Sequence, residues 1–200
     1  MDSFELKKIS TLGLVVATVV GFVGCSSTTK TEDPGIDRVG KYIVMNKSSQ
    51  AEVAVGYRYA QRALGSEWLV LEVAATSPPK ETAVMRREKI SVTTPDGETV
   101  LLATQREFNE AYGTLQSILQ AADVARDPMG FWPPRKSICE IRFFQVPGTS
   151  VSFDEVTVND FRACEGRFLF DIPGGVQAGR YILTMGLDKS TVEIPITLTE

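Results

Sequence analysis

From Lys41 onward, apolar and polar residues alternate with a period of two, the pattern of strands that bury one face. Val53, Val55, Tyr57 and Tyr59 form one such set. Leu69, Leu71 and Val73 form a second, with Trp68 and Val70 apolar on the opposite face as well. Ile90 and Val92 lead into TPDGE (residues 94–98), where Asp96-Gly97 is a strong hairpin signal, and Val100 and Leu102 lie on the return. Later sets are Cys139, Ile141 and Phe143; Val156 and Val158; and Phe168, Phe170 and Ile172. PGGVQAG (residues 173–179) then reads as a hairpin leading to Tyr181, Leu183, Met185 and Leu187. A turn over residues 188–190 returns the chain as Val192, Ile194, Ile196 and Leu198, with Pro195 on the outward set and so at a sheet edge. Short strands with one apolar face imply two sheets packed face to face.

One segment departs from this period. Thr104-Gln105-Arg106-Glu107 is a capping box, and Phe108, Tyr112, Leu115, Leu119 and Ala122 recur behind it at helical spacing until Asp127-Pro128. The spacing predicts one amphipathic helix over about residues 104–126. Such a stripe packs on its own sheet or offers a surface to a partner.

The amino-terminal end follows a third pattern. Lys7-Lys8 precedes an apolar run over residues 9–24, which is shorter than a spanning helix and ends in small residues without a basic stop. That is the build of a cleavable export signal. SSTTKTEDPGIDRVG (residues 26–40) offers almost nothing to bury and reads as a disordered tether reaching roughly 20 Å. Three parts are therefore expected: a signal over residues 1–24, a tether over 25–40 and a folded domain over 41–200.

FVGC (residues 22–25) resembles the lipobox of bacterial lipoproteins, in which small residues precede an invariant cysteine; Phe22 departs from the usual leucine. The resemblance implies that Cys25 receives a diacylglycerol and becomes the first residue of the mature chain. Two or three acyl chains hold a protein durably, at about 0.8 kcal/mol per buried methylene. Ser26 at the next position implies, by the same resemblance, the outer membrane facing the periplasm. The succession EWLVLEVAATS (residues 67–77), ISVTTPDGETV (90–100) and FLFDIPGGVQAGRYILTM (168–185) is similar to the Ig-like β-sandwich domains of uncharacterised envelope lipoproteins. That similarity implies a fold and an address, and it supplies no catalytic residues.

Composition narrows the chemistry. The chain has 200 residues, a formal charge of -4 and no histidine. The usual general base, the Ser-His and Cys-His pairs and the commonest metal ligand are thereby missing. Basic residues occur as scattered pairs, Arg86-Arg87 and Arg135-Lys136, so nucleic acid is not an expected partner. The acids Asp154, Glu155, Asp160, Glu165 and Asp171 fit no calcium loop and read as solvated faces. No cofactor and no metal are expected.

Two further features carry possible function. Cys139 and Cys164 share the inward parity of their segments, and an oxidising compartment favours a disulfide worth about 3 kcal/mol; two buried free thiols are the alternative. GFWPPRK (residues 130–136) gathers Phe131, Trp132 and Arg135 in one stiff loop, a contact surface for an envelope protein or else a cap on the core. The expectation is a non-catalytic binding or structural module anchored to membrane through Cys25. The alternatives are a small enzyme or inhibitor with a cleft between helix and sandwich, and an accessory subunit of an envelope assembly.

Overall fold

The computed structural model describes residues 35–129 and 136–200. The first strands in chain order are β1 (Ile36–Arg38), β2 (Ile43–Lys47) and β3 (Glu52–Gly56), followed by the short helix α1 (Arg58–Arg62). Next come β4 (Trp68–Thr76), β5 (Thr82–Arg86), β6 (Ile90–Thr93), β7 (Thr99–Leu101) and the long helix α2 (Gln105–Val124). The last are β8 (Ser137–Glu140), β9 (Glu155–Asn159), β10 (Arg162–Asp171), β11 (Gly179–Gly186) and β12 (Thr191–Leu198).

These strands make a six-stranded sheet in the order β1-β2-β3-β4-β10-β8, a four-stranded sheet in the order β12-β11-β6-β7, and the ribbon β5-β9. Neighbours are antiparallel except β10 and β8, which run parallel. The inner faces of the two larger sheets meet in one core: Val55, Leu69, Leu71 and Phe168 from one, Val92, Tyr181, Leu183 and Ile194 from the other. Each side chain buried there contributes about 1.5–3 kcal/mol. The protein is thus a mainly β sandwich carrying one long helix, as the periodicity implies.

The doubly apolar strand explains the helix. All nine residues of β4 are buried. Leu69, Leu71 and Val73 face the sandwich core, while Trp68 and Val70 join Leu169 under Phe108, Leu115 and Ala122 of α2. The capping box forms as its residues demand: Glu107 donates its backbone N–H to Thr104 Oγ1 at 3.2 Å, and Glu107 Oε2 accepts from the Thr104 N–H at 2.7 Å. The Asp96-Gly97 turn also forms, with Gly97 at φ +90°, a conformation glycine adopts freely. Pro195 lies on β12, an edge strand.

Other expectations need correction. Residues 36–38, expected within the tether, pair with β2 as β1, and Ile36 packs against the core. The alternation Val53, Val55, Tyr57, Tyr59 does not continue as a strand; the chain turns into α1 at Arg58, whose N–H is taken by the Asp127 carboxylate at 3.0 Å. PGGVQAG is not a hairpin, because β10 and β11 belong to different sheets. The end of β10 leading into this segment pairs with β4, whereas β11 lies between β12 and β6 of the other sheet, so the segment crosses between the sheets. Strand β5, unmarked by the periodicity, pairs with β9.

Candidate functional site

Of the expected site residues, the structure brings Cys139 and Cys164 together. They stand directly opposite each other on the parallel pair β8 and β10, form a disulfide, and have Cα atoms 4.3 Å apart. Cys25, Phe131, Trp132 and Arg135 lie outside the described residues. Lys136, at the end of the aromatic loop, is tied to the sheet: its Nζ donates to Thr76 Oγ1 at 2.8 Å and to the Ser77 carbonyl at 3.3 Å.

A concavity lies between α2, the outer face of β10 and the segment 140–146, with a volume of about 390 Å³. That is within the range of small-molecule sites. It has two unlike ends. Towards the start of α2 it is apolar, walled by Phe108, Phe144 and Leu169, with the rings of Phe108 and Phe144 centred 5.3 Å apart. Towards the end of α2 it is charged, with Glu72, Asp123, Glu140 and Glu165 facing Arg126 and Arg167. The chain directions produce this polarity. Helix α2 begins beside Leu169, where the Ala103 N–H bonds the Leu169 carbonyl at 3.0 Å, and its far end reaches Glu165 through Arg126.

Glu72 is the centre of the charged end. It projects from the middle of β4 on the helix-covered face and is only 9% exposed. Its Oε2 accepts the Asp127 N–H at 2.9 Å. Its Oε1 accepts no hydrogen bond among the described residues; Arg126 Nε and Arg167 Nη2 stand 3.8 and 3.7 Å away, within ion-pair range and too far to donate. Burial pushes the Glu72 carboxyl above its ordinary range, against the opposing pull of the Asp127 N–H and the two guanidiniums. The arginines are committed elsewhere as well: Arg126 reaches Glu165 at 3.4 Å, and Arg167 bonds Asp123.

The segment after α2 is locked to the same floor. Asp127 is buried, accepts from Arg58 Nε at 2.9 Å, and lies so close to Gly56 that a β-carbon there would come within 2.8 Å of Asp127 Oδ2. Glycine at 56 is therefore a packing requirement. The chain leaves α2, is pinned by Asp127 to α1 and by Glu72 to β4, and so holds one end of the cleft in place.

Sequence reasoning missed Glu72, whose alternation with Val70 and Ala74 reads as an ordinary outward position. Its only local signal is a carboxylate on the second face of a strand already apolar there at Trp68 and Val70. Glu165, expected on a solvated face, is half-buried and lines the cleft. Arg87 was also missed. It is buried, and its guanidinium donates to the carbonyls of Ala103, Phe143 and Phe153 and to Asp154.

A second surface feature lies where the edge strand β8 begins beside β10: Ile138 and, just before β10, Phe161 are exposed, and the Ser137 N–H bonds the Phe161 carbonyl at 3.3 Å. Among the described residues, no helix is long and apolar enough to cross a membrane, and no three acidic, cysteine or histidine side chains are grouped to hold a metal. Comparison with protein-family models finds no match, and searches of curated proteins and of solved structures likewise return none.

Proposed function

We propose that this chain is a lipid-anchored module of the bacterial cell envelope, held to the outer membrane through Cys25 and facing the periplasm, which binds a target without transforming it. The Cys139–Cys164 bridge supports such an address, since disulfides persist in exported proteins. The observation that carries the binding role is the cleft between α2 and the sheet, a two-ended cavity with apolar walls and a few polar groups converging at one end. An envelope protein is the further partner proposed for the loop of Phe131, Trp132 and Arg135.

A small enzyme working in the same cleft is the second reading, and buried Glu72 favours it, because a carboxyl raised in pKa has the profile of a general acid or base. Against it, the cleft is lined by no serine, threonine, cysteine, tyrosine or lysine among the described residues, and every lining carboxylate has an arginine within 4 Å.

Two measurements test the proposal. Cells supplied with radiolabelled palmitate should label the wild-type chain and leave Cys25→Ser unlabelled; equal labelling, or recovery of the chain in the cytosol with its leader intact, overturns the address. Crosslinking in intact cells, followed by release of bound compounds, should return a ligand chemically unchanged. A ligand converted on the protein would decide for the enzyme.

A further inference from the structure

Strand β8 leaves one side of the six-stranded sheet open. Residues of odd number there turn their backbone groups inward: the Ser137 N–H bonds the Phe161 carbonyl at 3.3 Å, and the Ile141 N–H bonds the Glu165 carbonyl at 2.7 Å. By strand alternation, the N–H and C=O groups of Ile138 and Glu140 point away from β10, and among the described residues nothing pairs with them. The Cys139–Cys164 bond fastens the middle of β8 to β10, so this edge is held extended in advance of any contact. Apolar side chains stand around it. Ile138 is 71% exposed, and Phe161, beside the start of the strand, 76%. Phe153 is 51% exposed, and its N–H takes the Arg142 carbonyl just past the strand's end at 2.8 Å. A free edge rimmed by exposed apolar groups is a template for another strand.

The residues of the strand select its occupant. Two antiparallel copies of β8 related by a two-fold axis at Ile138 bring their outward backbone groups face to face. That axis sets Ile138 against Ile138, and at each end Lys136 opposite Glu140 of the other copy. An axis at Ser137 would oppose Ile138 to Lys136, and one at Glu140 would oppose two carboxylates. An axis at Cys139 would oppose Ile138 to Glu140, and Lys136 to Arg142, two cations. The axis at Ile138 also carries the Phe161 end of each strand to the Phe153 end of the other. Glu140 is exposed and pairs with exposed Arg142, a contact that water screens and that costs little to exchange; Lys136, with its Nζ on Thr76 and Ser77, keeps its charge at the opposite end. We propose that β8 pairs antiparallel with β8 of a second copy of this chain, joining two six-stranded sheets edge to edge in a dimer centred on Ile138. This contact needs neither the cleft nor the lipid anchor.

The test uses the full chain in intact cells, with the photoreactive side chain of p-benzoylphenylalanine in place of Ile138. Irradiation should give a product of twice the chain's mass that contains this chain alone. Its yield should stand well above that from the same side chain at Leu101, a similarly exposed position on the edge of the other sheet. Differently tagged copies then fix the register. Ile138→Lys and Ile138→Glu each place like charges opposite each other, so each should copurify with itself roughly tenfold less than wild type does, and the two mixed should recover the pairing. Ile138→Pro removes an N–H that a single copy does not use, and it should lose the dimer at an unchanged melting temperature. A crosslinked product containing a different chain, or no excess over Leu101, overturns the second copy as the occupant. Undiminished pairing of either charged variant with itself, or no recovery on mixing, overturns the contact at Ile138. All of these results leave the lipid anchor and the binding cleft to their own tests.

Discussion

Replacing Arg87 by alanine should destabilise the fold by about 3–5 kcal/mol, the range for removing one member of a buried, hydrogen-bonded charge network. The figure follows from what the side chain touches. Arg87 is 5% exposed. Its Nη1 donates to the Ala103 carbonyl at 3.1 Å, its Nη2 to the carbonyls of Phe143 and of Phe153, the latter at 3.2 Å, and its Nε to Asp154 at 3.0 Å. The guanidinium also lies over the Phe143 and Phe144 rings, 5.5 and 5.2 Å from their centres. The Asp154 side chain is 86% exposed, so that ion pair is screened by water and contributes little. The carbonyls decide the outcome, because each buried acceptor stripped of its donor costs about 1–3 kcal/mol unless water enters. Truncation would release the segments before α2 and around 143–154 together, and with them one wall of the cleft. Urea unfolding followed by fluorescence would read the change as a lower midpoint at similar slope, equivalent to roughly 10 °C in melting temperature. Arg86→Ala is the matched control: Arg86 pairs with exposed Glu155 at 3.4 Å and should cost below about 1 kcal/mol. If Arg87→Ala loses no more than Arg86→Ala, the reasoning from buried carbonyls is refuted.

Removing the disulfide by Cys139→Ser with Cys164→Ala should cost about 3–4 kcal/mol, from the entropy of a loop of 25 residues, and added reductant should reproduce that loss in the wild type on denaturant unfolding. Thr104→Ala should cost about 1 kcal/mol by leaving the Glu107 N–H without its cap, and circular dichroism melts should show no further loss from adding Glu107→Gln beyond a few tenths. Glu72 has a folded pKa raised above 4.5, so its stabilising contribution is complete below the unfolded value and lost as pH rises through the folded one. Wild type should therefore gain stability relative to Glu72→Gln as pH falls from 7 towards 4.5, and a gap between the two that is constant with pH would contradict the burial of that carboxyl.

The alternation at Leu69, Leu71 and Val73, the Asp96-Gly97 turn and the capping box at Thr104 were legible because each is local: side-chain direction follows backbone period, and a cap needs only the next three residues. Even the helix's place was written in β4, since Trp68 and Val70 demand cover on the second face. The disulfide was legible through parity, Cys139 sharing a face with Ile141 and Cys164 with Phe168, once an oxidising compartment was expected. The cleft was not. Glu72, Arg126 and Glu165 are far apart along the chain and meet only because β4 pairs with β10 and α2 crosses both.

By itself, then, the sequence determined the alternation of the core strands, the Asp96-Gly97 turn and the capped helix behind Thr104, since these depend on the spacing of neighbours along one strand or helix. Tertiary structure alone decided that PGGVQAG crosses between sheets, that Arg87 and not Arg86 is buried, and that Glu72 sits under a helix with one oxygen unbonded. Strand order and sheet membership are properties of non-local pairing, and a period of two is the same whichever partner a strand finds.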